Sequence, residues 1–533
     1  MRIAILVCTL GYSTSLHAQQ LRAPQNENPV YLSDSPIAAD AFIRLPELIA
    51  QNNLDEASRL VHQTIINHGD RLIESKNPGI FIPVRQRMYR FVLDHPALLN
   101  AYRLKQTPAA RVGLNDQDGW IRVSQDAWLT EPGMIASLHS AQVLIESGHF
   151  LSAIRILDRL VDHPDMKPHA HRAAQLANLA ARFVDSARAW EHADQWSDLA
   201  NINRSPHKQE TVPDRIKNAP IPNSSLEWNT RNTEHTSEPL SLKGIVPSPL
   251  GQAVLTPEAH LDELQSSSAT QSSGANWIPT AWTAPVLLGD RVYTNDGMTV
   301  SCFDRFTLRP YWRIQTASTN TDLPITPAAR SRMSRTFEDQ TTITLDNGSL
   351  YLPTGIPRNG TRIGDPRVIK VDAHTGRTLW SIDIQAIDES LKDASIRGQL
   401  IVDNDTVIVG ARTNNRKQRL ISFAAIGLDT ITGKTKWIRQ IGSAGSLPFQ
   451  QTGQLAHSPV LHKGIVYWTD YIGLAFAIDS STGEVIWARS LASPDLYDRF
   501  TRPTFATNTP VITEQGMFTL TTDGRQILQL DLQ

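Results

Sequence analysis

Cysteine is nearly absent from this chain. Of 533 residues only Cys8 and Cys302 are cysteines, which excludes a disulfide framework and any zinc site built from four thiolates. Charge of one sign is missing too. Fifty-one Lys and Arg against 53 Asp and Glu leave a formal charge of −2, so there is no electrostatic reason to expect nucleic acid or an anionic membrane as partner. No apolar run is long enough to span a bilayer. The longest candidate, Ile3 to Leu10, lies in MRIAILVCTLGYSTSLHAQQ, after Arg2 and ahead of polar residues and Ala18. That order is the layout of a secretory signal peptide cleaved after Ala18, although Leu16 is large for its position. Val7 before Cys8 argues against a lipid anchor. These features predict an exported, periplasmic or extracellular protein in which Cys302 is the one remaining thiol, packed on a strand as a small hydrophobe.

What is present divides the chain, whose length calls for two or three domains. Residues 1–18 are read as the signal peptide and 19–36 as an N-terminal arm. Residues 37–200 carry helical periodicity. In Ala136 to Asp165 the apolar residues Leu138, Ala141, Val143, Leu144, Phe150, Ile154, Leu157 and Val161 fit two amphipathic helices, with Gly148 at the turn between them. Ala41 to Asp70 has the same shape, with Ala57 standing where Ala153 stands. This helical region resembles tetratricopeptide-type hairpins without their full consensus. Residues 201–276, rich in Ser, Thr, Asn and Pro, read as a polar flexible linker. From 277 to 533 short Val/Ile/Leu/Tyr runs alternate with turn dipeptides such as Gly289-Asp290, Asn347-Gly348 and Lys463-Gly464, a β pattern.

Within that β region one motif recurs: FDRFTLRPYW, VDAHTGRTLW, LDTITGKTKW and IDSSTGEVIW. Each Asp (Asp304, Asp372, Asp429, Asp479) precedes a Trp by eight residues (Trp312, Trp380, Trp437, Trp487). Gly376, Gly433 and Gly483 occupy the fifth position, where the first copy has Leu308. A fifth copy starts at Asp531. The spacings between successive Asp residues, 68, 57, 50 and 52, each leave room for four strands. A carboxylate here can cap the following turn, a Gly can supply φ > 0, and a Trp can fill the gap to the next sheet. Four-stranded units stacked this way make a β-propeller. With Leu308 in place of Gly, the first turn is expected to differ.

The repeat D-x-x-T-G-x-x-x-W resembles that of the quinoprotein-like propellers with PQQ-like repeats, over roughly the last 260 residues. The resemblance implies an α plus all-β multidomain protein: a TPR-like helical region, then a PQQ-like propeller of about five blades, incomplete at Asp531-Leu532-Gln533. Family propellers usually have about seven or eight blades, so the reading favours a truncated chain; the alternatives are a ring closed by a few blades, by another chain, or by further strands between Trp312 and Leu345. The family holds PQQ-dependent alcohol dehydrogenases and catalytically inert relatives such as the propeller subunit of the outer-membrane β-barrel assembly machinery. Its enzymes set a vicinal disulfide against the quinone and bind Ca²⁺. This chain has no Cys-Cys pair, and no calcium set is assigned, so it resembles the inert BamB-like members more closely. The function expected is that of a non-enzymatic scaffold for protein–protein contacts in the cell envelope, without cofactor or metal and with no catalytic residue. The alternative is a PQQ-dependent oxidoreductase, or a degenerate relative holding a small ligand in the funnel.

Four other motifs carry less. ITGKTKW (Ile431–Trp437) lacks the second Gly of a phosphate loop, since Leu428 stands there. LNDQDGW (Leu114–Trp120) puts Leu114 and Gln125 where a Ca²⁺ loop needs acids. His163, His169 and His171 read as exposed residues near a helix start rather than as metal ligands. Trp468, Tyr471 and Arg502 are of the types that dominate interfaces.

Overall fold

Three helix starts are set by polar side-chain caps. Ser35 Oγ accepts from Ala38 N at 3.1 Å, Asn53 Oδ1 from Glu56 N at 3.4 Å, and Thr130 Oγ1 from Gly133 N at 3.2 Å. These open α1 (Pro36–Ala50), α2 (Leu54–His68) and a later helix, Glu131–Glu146. The computed structural model describes residues 30–77, 79–115, 119–184, 187–202, 285–295, 299–315, 342–354, 366–415, 420–445, 458–470, 473–491, 509–513, 515–520 and 527–530. The proposed signal peptide, nearly all of the polar segment 201–276, Tyr471, Arg502 and Asp531 lie outside the described residues.

After α2 come α3 (Val84–Leu93), α4 (Pro96–Gly113), α5 (Trp120–Asp126), α6 (Glu131–Glu146), α7 (Phe150–Leu160), α8 (Ala170–Ala181) and α9 (Ala187–Leu199). Apart from α5, whose Val123 packs in a small cluster with Ala110, Ala127 and Ala136, their apolar stripes meet in one continuous core that runs from Leu45 and Val61 through Met88 and Tyr102 to Leu138, Leu157 and Trp196. Ala57 and Ala153 are both fully buried, so the helices approach closely at each. Gly148, at φ 83°, turns α6 into α7.

The β region forms repeated antiparallel meanders. The first is β4 (Val286–Leu288), β5 (Arg291–Asn295), β6 (Thr299–Asp304) and β7 (Pro310–Gln315). The second is β8 (Thr344–Asp346), β9 (Ser349–Thr354), β10 (Arg367–Asp372) and β11 (Thr378–Asp383). The third is β12 (Ser395–Asp403), β13 (Thr406–Asn415), β14 (Leu420–Asp429) and β15 (Thr435–Gly445); the fourth is β16 (Val460–His462), β17 (Ile465–Asp470), β18 (Leu474–Asp479) and β19 (Val485–Ser490). A fifth contributes β20 (Val511–Thr513), β21 (Gly516–Leu520) and β22 (Ile527–Leu530) among the described residues. Each pair of neighbouring blades shares its own core: Leu350 and Cys302 between blades 1 and 2, Val409 and Tyr351 between 2 and 3, Phe423 and Trp468 between 3 and 4, Tyr467 and Met517 between 4 and 5. Stacked apolar faces of this kind are what a propeller buries. No closed ring is formed among the described residues.

Strands also occur outside the β region read from the sequence. The stretch 37–200 is not all helix: β2 (Leu72–Glu74) and β3 (Ile80–Pro83) form a hairpin between α2 and α3, turned through Gly79 at φ 77°. The arm before residue 36 likewise holds β1 (Val30–Leu32). Both additions belong to propeller sheets. β1 pairs antiparallel with β15, Tyr31 opposite Ser443, and β3 pairs with β19, Phe81 opposite Ala488. The outer edges of blades 3 and 4 are thus covered by strands from the N-terminal region, β1 ahead of the helices and β3 from between α2 and α3, which removes two exposed rows of backbone donors and acceptors. Leu32 and Leu72 join the core between those blades.

Candidate functional site

The repeat turns come first, because they position everything else. In each copy the first carboxylate oxygen of the Asp caps the turn. Asp304 Oδ1 accepts from Thr307 N at 2.7 Å and Thr307 Oγ1 at 2.9 Å; Asp372 Oδ1 accepts from Thr375 N and Oγ1, both at 2.7 Å. Asp429 Oδ1 takes Thr432 N and Oγ1 at 2.7 Å, and Asp479 Oδ1 takes Ser481 Oγ at 2.7 Å and Thr482 N at 2.9 Å. The amide of the fifth residue then closes onto the Asp carbonyl at 2.8–2.9 Å in all four. The first turn does not differ as expected: Leu308 adopts φ 55° and closes onto Asp304 O at 2.9 Å, like the glycines. The Asp cap and turn pairing hold a Leu in a region that disfavours it by about 1–2 kcal/mol.

Three of the four tryptophans, Trp312, Trp380 and Trp437, pack on the glycine of the following blade. A Cβ at Gly376 would lie 2.7 Å from the Trp312 ring, one at Gly433 3.0 Å from Trp380, and one at Gly483 2.3 Å from Trp437. The Trp312 and Trp380 Nε1–H groups donate to Ala373 O (3.2 Å) and Thr430 O (3.0 Å), the residues just after the next Asp. The glycine therefore does two things: it takes φ of 67–74°, and it leaves room for an indole.

At this same end of the blades the helical region docks. From α7, Arg155 Nε donates to Asp479 Oδ2 at 2.9 Å, with Nη2 on the same oxygen, and its Nη1 and Nη2 reach Lys463 O and Gly464 O, each at 3.2 Å. Ser152 Oγ donates to Asp479 Oδ1 at 3.3 Å. One turn on, Arg159 holds Glu484 through two bonds of 2.8 and 2.6 Å. His149, buried just before α7, pairs with Asp405 of blade 3, which Lys436 Nζ also holds at 2.6 Å. Ser480 of blade 4 in turn donates to Asp403 of blade 3.

The electrostatics follow from this geometry. Burial alone would raise the Asp479 carboxyl, yet the Arg155 guanidinium, the Ser481 hydroxyl and the Thr482 amide together hold it far below the ordinary carboxylate range. Asp405 is likewise held far down, because hydrogen bonds from His149 and Lys436 overcome its desolvation. Asp403, whose donors are the neutral Ser480 hydroxyl and Asn404 Nδ2, is pushed up by burial. The exposed Asp304 sits at about 2, drawn down by the Tyr311 hydroxyl and the Thr307 turn.

Other sequence candidates fall elsewhere. Trp468 is 1% exposed and belongs to the core between blades 3 and 4, not to a binding face. His163 is buried rather than exposed: it bonds Trp128 O at 2.8 Å, and burial lowers it to about 4. His171 bonds Gln175, and no group of three His, Cys, Asp or Glu that could hold a metal exists among the described residues. Cys302 is a lone, fully buried thiol on β6. Because Cys8 and Cys302 are far apart in the sequence, Cys302 cannot be part of a Cys-Cys vicinal disulfide. Sequence reading missed Arg155, Arg159 and His149; charged residues on an amphipathic helix read as a solvated face.

Residues 261–533 match the family model described as outer membrane protein assembly factor BamB. Among solved structures, BamB from Moraxella catarrhalis is similar at 15% identity, covering 47% of this chain and 60% of that one, with TM-score 0.29. The quinohemoprotein alcohol dehydrogenase from Comamonas testosteroni is similar at 16% identity over 47% and 44% of the two chains, TM-score 0.31. A quinohemoprotein alcohol dehydrogenase from Pseudomonas putida HK5 gives 15%, 46%, 41% and 0.30 in the same order. The chain thus spans less than two thirds of the length of each. No curated protein matches the sequence.

Proposed function

Since this chain belongs to the BamB-like family of PQQ-repeat propellers, the model of which covers more than half of it, we propose that it is a non-enzymatic scaffold that holds other proteins at the cell envelope. The observation that carries the reading is Arg155 seated on Asp479 and the Lys463 and Gly464 carbonyls: within this chain the blade turns already serve as a protein-docking surface. Export follows from the signal-like N-terminus, and no described helix is long and apolar enough to cross a membrane. The absence of a Cys-Cys pair from the sequence supports a non-catalytic role.

Two measurements test this. Cross-linking in intact source cells, followed by fractionation, is expected to recover the chain in the envelope joined to specific partner proteins, with residues 1–18 removed. Titrating the purified chain with PQQ and Ca²⁺ is expected to leave the quinone spectrum unchanged. A saturable spectral change accompanied by dye reduction with an alcohol would refute the scaffold and establish the oxidoreductase reading.

A further inference from the structure

The seat that holds Arg155 is built from parts that every blade repeats. Beside each motif Asp lies the turn joining the first two strands of the blade. In blades 1 to 4 its first residue has positive φ: Gly289 59°, Asn347 43°, Asn404 51°, Lys463 51°. The carbonyl of the next residue then accepts the amide that follows the motif Asp. These bonds are Arg305 N to Asp290 O (2.7 Å), Ala373 N to Gly348 O (2.9 Å), Thr430 N to Asp405 O (2.9 Å) and Ser480 N to Gly464 O (3.1 Å). Carboxylate and turn are thus held in the same relation four times.

Their occupancy differs. Blade 4 is filled by Arg155. In blade 1 the second oxygen of Asp304 takes the Tyr311 hydroxyl at 2.7 Å. In blade 3, His149 and Lys436 converge on the turn at Asp405. In blade 2 the position of Tyr311 is taken by Leu379, which cannot donate, and among the described residues no side chain bonds the second oxygen of Asp372. Apolar tips flank this seat: Leu379 is 40% exposed, and Phe306 and Ile431 on the neighbouring motif turns are 79% and 77% exposed. Large exposed apolar groups around a desolvatable charge are the anatomy of a binding hot spot.

We propose that the Asp372 turn of blade 2, with the Asn347-Gly348 carbonyls, is a docking seat for a helix of a partner protein that presents an arginine among apolar residues, as α7 presents Arg155 beside Leu151. The seat continues the surface on which α7 already lies. It names a partner chemistry for the scaffold proposed above and rests on that reading. A basic helix supplies the guanidinium for the carboxylate and both carbonyls, and its apolar face covers Phe306, Leu379 and Ile431.

The probe is a side-chain-crosslinked helical peptide of residues 149–161, HFLSAIRILDRLV, labelled for fluorescence anisotropy and titrated with the full chain. The expected result is saturable binding, weakened about tenfold by Asp372→Asn, which keeps the turn-capping oxygen but removes the charge. A peptide with glutamine at the Arg155 position, which leaves the protein untouched, is expected to lose affinity by a similar factor. Absent saturation, or equal affinity for the Asp372→Asn chain, overturns the proposal; equal affinity would also mean that the peptide binds elsewhere, including at blade 4. In the cellular cross-linking experiment, partners that persist unchanged with Asp372→Asn would refute this seat and leave the scaffold standing, whereas no partners with the wild type would refute the scaffold itself.

Discussion

Replacing Arg155 by Met tests whether helices and blades stand as one structure. The Arg155 guanidinium makes four kinds of contact: Asp479 Oδ2, Lys463 O, Gly464 O and Ser152 Oγ. The Asp479 side chain is 8% exposed and that of Arg155 is 23% exposed, so the pair is mostly withdrawn from water. Removing one partner of a buried pair costs about 3–5 kcal/mol, because the remaining charge stays desolvated. Asp479 keeps Ser481 and Thr482 as donors, and the seam admits some water, so the lower figure, about 3 kcal/mol, applies. Urea unfolding followed by tryptophan fluorescence and by far-UV circular dichroism would measure it. The wild type should show coincident transitions, because β1 and β3 join the two regions by strand pairing as well. Arg155→Met should shift the midpoint down and separate the helical signal from the blade signal. A double-mutant cycle with Asp479→Asn should return a coupling of about 2 kcal/mol or more. A loss below about 0.5 kcal/mol, the size expected of an ordinary surface pair, would refute the claim that this contact joins the two regions.

Gly483→Ala meets both the positive φ and the Trp437 ring, and should cost about 3 kcal/mol in thermal or urea unfolding; Gly289→Ala, at φ 59° with nothing within 4 Å, should cost only about 1 kcal/mol. If the two cost the same, the indole is not what the repeat glycine accommodates. Leu308→Gly should raise stability by up to about 1 kcal/mol by relieving the left-handed Leu, and a loss would show that the Leu308 side chain contributes more than its strain costs. The acid limb follows from depressed carboxylates. Asp479 and Asp405 titrate lower in the folded protein than unfolded, so their stabilisation is full above the unfolded value near 3.8 and drains away as pH falls below it. Urea midpoints should be flat in this respect between pH 7 and pH 5 and fall below about pH 4, less steeply in Arg155→Met.

Much of the propeller was legible because its rules are local. The Asp, the Thr and the fifth residue of each motif satisfy one another within a single turn, and the Trp recurs at fixed distance, so the pattern stands in the sequence. The amphipathic hairpin of α6 and α7 was legible for the same reason: Leu138, Ala141, Ile154 and Leu157 keep helical spacing into one core. Leu308 was misread because residue type is only a proxy for backbone conformation, and the Asp304 cap imposes φ 55° on a residue that does not favour it. The strands β1, β2 and β3 were missed because runs of three or four residues carry no period that separates strand from helix.

The sequence by itself determined the repeat, the blade architecture and the family, since each depends on contacts inside a turn or at blade-length intervals. Only the tertiary structure decided that the helical region lies on the blades, and where. Arg155 and Asp479 are 324 residues apart, and β1 meets β15 across some four hundred positions. No local preference distinguishes an arginine that will find a buried carboxylate from one that stays in water. That difference arises only when two surfaces, each already folded by its own short-range rules, come together and exclude solvent between them.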